Sequence, residues 1–136
     1  MANSQSSIKR LETSGAPLAL GPYSQGVATT NGQPLVFVSG QLPIDPKTGK
    51  MVTGDIKAMT KQVIDNLEAV LLSGGSSLDL VVRVDVFLTD LKEFAQMNEQ
   101  YAKHFKSSVP PARQTIQVAA LPMGSSIEIS CIAIRA

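Results

Sequence analysis

The chain has 136 residues, 43% hydrophobic and 17% charged, a composition that supports one folded domain over residues 1–136 and excludes wholesale disorder. Lys and Arg number 12 against 11 Asp and Glu, and aromatics make up 4% with no Trp, so neither a basic surface nor stacking platforms for nucleic acid are expected. One cysteine, Cys131, and one histidine, His104, exclude an internal disulfide framework and a clustered Cys/His metal site, and no apolar run approaches the roughly 20 residues of a membrane span.

Met1 to Ser7 is small and polar and reads as a flexible end, without the apolar stretch of a secretory signal. A cytoplasmic location is the expectation, with a mitochondrial one left open. Ile8 to Glu12 suits a short strand, and Gly15 to Gly21 a loop bounded by Pro17 and Pro22. Two β-prone runs, Gln25 to Thr30 and Leu35 to Ser39, flank Asn31-Gly32, whose tolerance of positive φ predicts a hairpin. The second run is continuously apolar from Leu35 to Val38, which predicts cover on both faces. Asp45 to Gly49 has turn chemistry.

From Asp55 to Ser73 the period becomes helical, with Ile56, Met59, Val63, Leu67, Val70 and Leu71 on one stripe, Asp55 as N-cap and Gly74-Gly75 as the stop. Leu80 to Leu88 alternates, with Val82, Val84, Val86 and Leu88 on one face and Arg83 and Asp85 on the other. A second helix is predicted from Leu91 to about Phe105, with Phe94, Met97, Tyr101 and Phe105 inward, stopped by Pro110-Pro111. Arg113 to Val118 and Ile127 to Ile134 are the last strands. The order β-β-β-α-β-α-β-β makes an α+β domain with two helices packed on one face of a mixed sheet. The other sheet face is left bare, which suggests self-association.

Five short stretches carry the functional signal: Gly21-Pro22-Tyr23-Ser24-Gln25, Ser39-Gly40-Gln41-Leu42-Pro43, Asn98 to Tyr101, Pro111-Ala112-Arg113, and Leu121-Pro122 to Glu128. Each alone is a common string. Together, in this order and spacing, they resemble the reactive intermediate deaminase family, RidA or YjgF, from about Ile8 to Ile134. The resemblance implies a chorismate mutase-like fold, a homotrimer with sites in clefts between subunits, and hydrolysis of 2-imino acids or their enamine tautomers. The expected products are a 2-keto acid and ammonia, the substrates 2-iminobutanoate and 2-iminopropanoate, and the benefit protection of pyridoxal-phosphate enzymes. No cofactor, metal, nucleic acid or membrane partner is expected.

The residue chemistry suits that reaction. A 2-imino acid carries a carboxylate beside an electrophilic C=N carbon, and a planar guanidinium is the matching clamp. Arg113 corresponds to the family's substrate-binding arginine; outside that pattern it would read as a solvated strand-edge residue. Adding water and expelling ammonia both move protons, a task for a positioned acid/base group. Glu128 corresponds to the family's glutamate and should point away from Ile127 and Ile129, as any polar-face residue of that strand would. Tyr23 corresponds to a loop tyrosine that lines the pocket from a neighbouring subunit. Asn98, Ser39 and Gly40 correspond to substrate-binding positions, although a helix-surface asparagine and a strand terminus explain them equally simply. Thr115 stands where many relatives have cysteine; its backbone is the expected contribution. Cys131 reads as a small buried hydrophobe, His104 as a helix-end cation, and Lys47, Lys50, Lys57 and Lys61 as solvated charges. A non-catalytic binding or chaperone-like module is the alternative reading, and an endoribonuclease or translation inhibitor a third, disfavoured by the near-neutral charge.

Overall fold

The structure is a computed structural model that describes residues 7–136. Residues 1–6 of the expected flexible end lie outside the described residues; Ser7 is buried, and its carbonyl accepts from the Thr30 amide at 2.8 Å. The strands are β1 (Ile8–Leu11), β2 (Gly26–Thr29), β3 (Leu35–Gln41), β4 (Ile44–Asp45), β5 (Lys50–Met51), β6 (Val81–Leu88), β7 (Ala112–Gln117) and β8 (Ile127–Ile134). The helices are α1 (Ile56–Ser73) and α2 (Phe94–Ala102).

The main sheet has the order β3-β8-β6-β7, antiparallel except for the parallel β6–β7 pair. That parallel pair requires a crossover, and α2 supplies it. Alternation along β8 sets the layers: Ile127, Ile129, Cys131 and Ala133 are buried, and Val84, Val86 and Leu88 of β6 meet them on the same side. The inner stripe of α1, Ile56, Thr60, Val63, Ile64, Leu67 and Leu71, closes the core with Met97 and Tyr101 of α2. Both helices therefore lie on one face of a mixed sheet. Asp55 caps α1 by accepting from the Ala58 amide at 2.9 Å, and Gly75 at φ +78 lets the chain leave it.

Two short strands, β4 and β5, flank the Asp45–Gly49 turn beyond the expected order, and the second α-helix runs Phe94–Ala102 after a 3-10 turn at Leu91–Glu93 instead of from Leu91 to about Phe105. Three expectations of pairing and burial also change. The Asn31-Gly32 segment is a turn, with Gly32 at φ +59, but it does not join a hairpin. Strand β2 pairs with β1 in its own small sheet, while β3 crosses to pair with β8. Pro34 ends any ladder at the turn, and the long apolar β8 offers β3 a better partner than the short β2. Second, β3 is covered on one face only: Val38 is buried, whereas Leu35 and Phe37 remain 48% and 70% exposed. Third, Val82 leaves the core face of β6. A register shift between Val81 and Arg83 turns it toward Ile8, Leu80 and Ile134, where the β1–β2 ribbon covers one end of the otherwise bare face.

Candidate active site

Strand β7 is one edge of the sheet, and its register places Arg113 beside Val84 and Thr115 beside Val86. Because those valines face the helices, so do Arg113 and Thr115. The Gly21–Ser24 loop runs along this edge, with the Ser24 amide donating to the Pro111 carbonyl at 3.1 Å and the Ser24 hydroxyl to that of Pro110. A tight turn over Pro22, closed by the Tyr23 amide donating to the Gly21 carbonyl at 2.7 Å, aims Tyr23 at Arg113.

Arg113 is the centre of the cluster that results. Its Nη1 donates to Asn98 Oδ1 at 2.6 Å, and its Cζ lies 4.7 Å from the Tyr101 ring centroid, 5.6 Å from Tyr23 and 5.7 Å from Phe94. It forms no ion pair with any carboxylate among the described residues. Burial pulls its pKa below the usual arginine value, with Tyr101 and Tyr23 opposing. A partly buried, unpaired guanidinium held by neutral partners is arranged to receive an anion. Thr115 adds a buried hydroxyl, Oγ1, with no hydrogen-bond partner among the described residues. Tyr23 stands beside Arg113 of its own chain. Its phenolic oxygen accepts from the Leu20 amide at 3.1 Å, which leaves its own O–H to donate elsewhere.

Glu128 belongs to a different surface. It follows buried Ile127, pairs with Phe87, and faces away from the helices, half-buried. Its neighbour is Gly40, in the bulge where β3 shifts register between Val38 and Gln41. A Cβ on Gly40 would lie 2.7 Å from Glu128 Cδ and Oε2, so the carboxylate occupies space that only glycine leaves open. Ser39 is exposed in the same bulge, its carbonyl accepting from the Gln41 side chain at 3.2 Å. Within one chain the candidates thus form two half-sites on opposite faces: Arg113, Asn98, Tyr23 and Thr115 near one edge, Glu128, Gly40 and Ser39 toward the other. An apolar cavity beside Gly40, lined by Leu42, Ile44, Pro46, Ala69 and Val70, contains neither Arg113 nor Glu128.

Phe94 and Tyr101 appear in the sequence as core stripe, yet both rings flank Arg113. Phe94 is 37% exposed rather than inward. Their spacing with Asn98 (94, 98, 101) was the available signal, since it marks one helix face shared with a polar residue. Among the described residues no group of three or more His, Cys, Asp and Glu could hold a metal, and no helix is long and apolar enough to cross a membrane. Cys131 is buried and its thiol pKa is pushed up to about 12 by that burial. His104, expected as a helix-end cation, is shifted toward its neutral form: burial lowers its pKa, and the Gln100 side-chain amide lies 2.9 Å from Nε2. Lys57 and Lys61 are paired, with Glu99 at 2.6 Å and Asp65 at 2.7 Å.

The fold and the edge-strand cluster define a small α+β protein with a partly buried arginine set among an asparagine and three aromatic rings. The chain belongs to the family described as Endoribonuclease L-PSP, which matches residues 13–135, and the resemblance to RidA/YjgF proteins holds across it. It is 48% identical over 126 residues to Protein DfrA of Myxococcus xanthus, covering 93% of this chain and 95% of that one. It is 46% identical to Reactive Intermediate Deaminase A, chloroplastic, of Arabidopsis thaliana, covering 96% and 68%, and 40% identical to the mouse 2-iminobutanoate/2-iminopropanoate deaminase, covering 93% and 91%. Among solved structures, yeast Mmf1 aligns with a TM-score of 0.72 at 40% identity, covering 95% and 99%. Escherichia coli TdcF with bound serine aligns at 0.71 and 38%, covering 94% and 99%. Deaminase activity on reactive intermediates is thus supported at the level of the family.

Proposed function

We propose that this protein hydrolyses 2-iminobutanoate and 2-iminopropanoate, or their enamine tautomers, to 2-keto acids and ammonia, and so protects pyridoxal-phosphate enzymes. The observation that carries this reading is Arg113: a partly buried guanidinium with no carboxylate partner among the described residues, held by Asn98 and walled by three aromatic rings. The mouse relative named as a 2-iminobutanoate/2-iminopropanoate deaminase and the serine-bound TdcF agree with a small amino-acid-like ligand.

The substrate carboxylate takes the Arg113 N–H donors that Asn98 leaves unused, which fixes the C=N carbon relative to the protein. Glu128 accepts a proton from water as the water oxygen bonds to the carbon of the protonated imine, giving a neutral carbinolamine. The same group, now protonated, delivers that proton to nitrogen, and ammonia leaves as the hydroxyl proton passes back to Glu128 and the carbonyl forms. Arg113 and Glu128 face opposite sides of one sheet, so the two half-sites combine only between copies of the chain. The Arg113 half lies at the β7 edge and the Glu128 half beside the β3 edge. Contact between unlike edges is head-to-tail, and a threefold rotation at that contact would close it into a homotrimer bearing three inter-subunit sites. The exposed Phe37, Leu35 and Ile116 supply apolar surface for burial there.

The test couples the protein to threonine dehydratase and follows keto-acid formation. Wild type should accelerate it. Arg113→Ala should lose at least about 100-fold in kcat/KM, the scale of a charge-assisted contact of roughly 3 kcal/mol. Glu128→Gln should lower kcat while keeping affinity for 2-oxobutanoate. Equal activity in wild type and Arg113→Ala would remove the mechanism. The family's description favours one second reading, an endoribonuclease. RNA cleavage by purified protein that Arg113→Ala abolishes would establish it instead.

A further inference from the structure

Phe94, Asn98 and Tyr101 share one face of α2, and Arg113 lies against all three. Tyr101 is the nearest ring, 4.7 Å from the guanidinium carbon, and it is fully buried. Behind it Phe105 stacks at 4.4 Å between centroids with an interplanar angle of 20°, so the ring has no room to turn away. The Tyr101 hydroxyl is buried without a hydrogen-bond partner among the described residues, so the face of the ring, not its oxygen, is what Arg113 meets.

We infer that Tyr101 is a positioning residue: its Phe105-backed ring, with the Asn98 amide, locks the plane of the Arg113 guanidinium before any ligand arrives. This rests on Arg113 being the carboxylate clamp. An arginine on a solvated strand edge has many rotamers and loses them on gripping an anion. Here the ring faces and the Nη1 bond have already removed that freedom, which tightens binding without adding a contact to the ligand. Tyr101 touches no substrate in this scheme; it acts through Arg113.

NMR of the guanidinium, with Arg113→Lys to identify its signals, reads the locking without substrate. Wild type and Tyr101→Phe should show separate Nη resonances and a ring-shifted Nε–H. Tyr101→Leu should show one averaged Nη signal and an affinity for 2-oxobutanoate weaker by about fivefold to thirtyfold, the scale of a cation–π contact. The proposal is overturned if wild type already shows the averaged signal, or if Tyr101→Leu keeps both signature and affinity. It is equally overturned if Tyr101→Phe loses as much as Tyr101→Leu, since the hydroxyl would then be the agent. Should Tyr101→Leu fail to fold, the wild-type and Tyr101→Phe spectra still decide. A wild type with the locked signature but no imine hydrolysis would sink the deaminase reading and leave the positioning role standing.

Discussion

Two residues on one chain, Arg113 and Gly40, show how little local freedom the candidate site has. Arg113 is held from three sides before it meets an anion, and Gly40 is held by what it lacks. Adding a methyl group at Gly40 would put it within 2.7 Å of the Glu128 carboxylate, and Glu128 Cγ lies only 3.0 Å away. Because Cγ as well as the carboxylate must shift, Gly40→Ala should displace Glu128 rather than unfold the bulge. The expected outcome is a drop in kcat of about tenfold or more with keto-acid affinity nearly unchanged, measured in the coupled assay. A Gly40→Ala protein with wild-type kcat would show that Glu128 does not act from that seat. Tyr23 is placed with similar economy: the backbone N–H of Leu20 donates to the phenolic oxygen, and the turn over Pro22 sets the ring beside Arg113.

Two connections between elements carry testable strain or charge. The turn from β7 to β8 places Met123 at φ +58, the left-handed region that disfavours residues with a Cβ, and its side chain is 66% exposed. Replacing it with asparagine, which tolerates that region, should raise stability by about 0.5–1 kcal/mol in urea unfolding, with activity unchanged. No gain would mean the turn relaxes without strain. Just beyond α2, His104 has its pKa lowered first by burial, partly opposed by Asp65 and Glu68. The folded state therefore favours the neutral ring. The unfolded chain protonates as pH falls below about 6.5, so the stability His104 contributes is present above that pH and is lost on acidification through it. Thermal melts between pH 7.5 and 5 should fall more steeply for wild type than for His104→Gln; parallel curves would dismiss the effect.

At the scale of the whole molecule, the decisive fact is that Arg113 and Glu128 occupy opposite faces and opposite halves of one sheet. Catalysis as proposed then requires assembly, and the bare face supplies the surface. Phe37→Asp, placing a charge where 70% of a phenylalanine is exposed, should take the proposed homotrimer to a monomer in sedimentation and abolish imine hydrolysis together. An active monomer would refute the inter-subunit site. The sequence by itself determined the helices and most strands, because the α1 stripe, the Asp55 cap, the Gly74-Gly75 stop and the β8 alternation are local patterns that their own residues enforce. It also determined the family, through five short strings whose order survives in the chain. What only the tertiary structure decided was partnership. Asn31-Gly32 looks like a hairpin turn until β8 competes for β3, Phe94 looks like core until it lies exposed beside Arg113, and nothing local tells that Tyr101, core as its stripe predicts, also faces Arg113. Such choices depend on contacts between residues far apart in the chain, where the better-buried pairing wins and no local pattern records the competition.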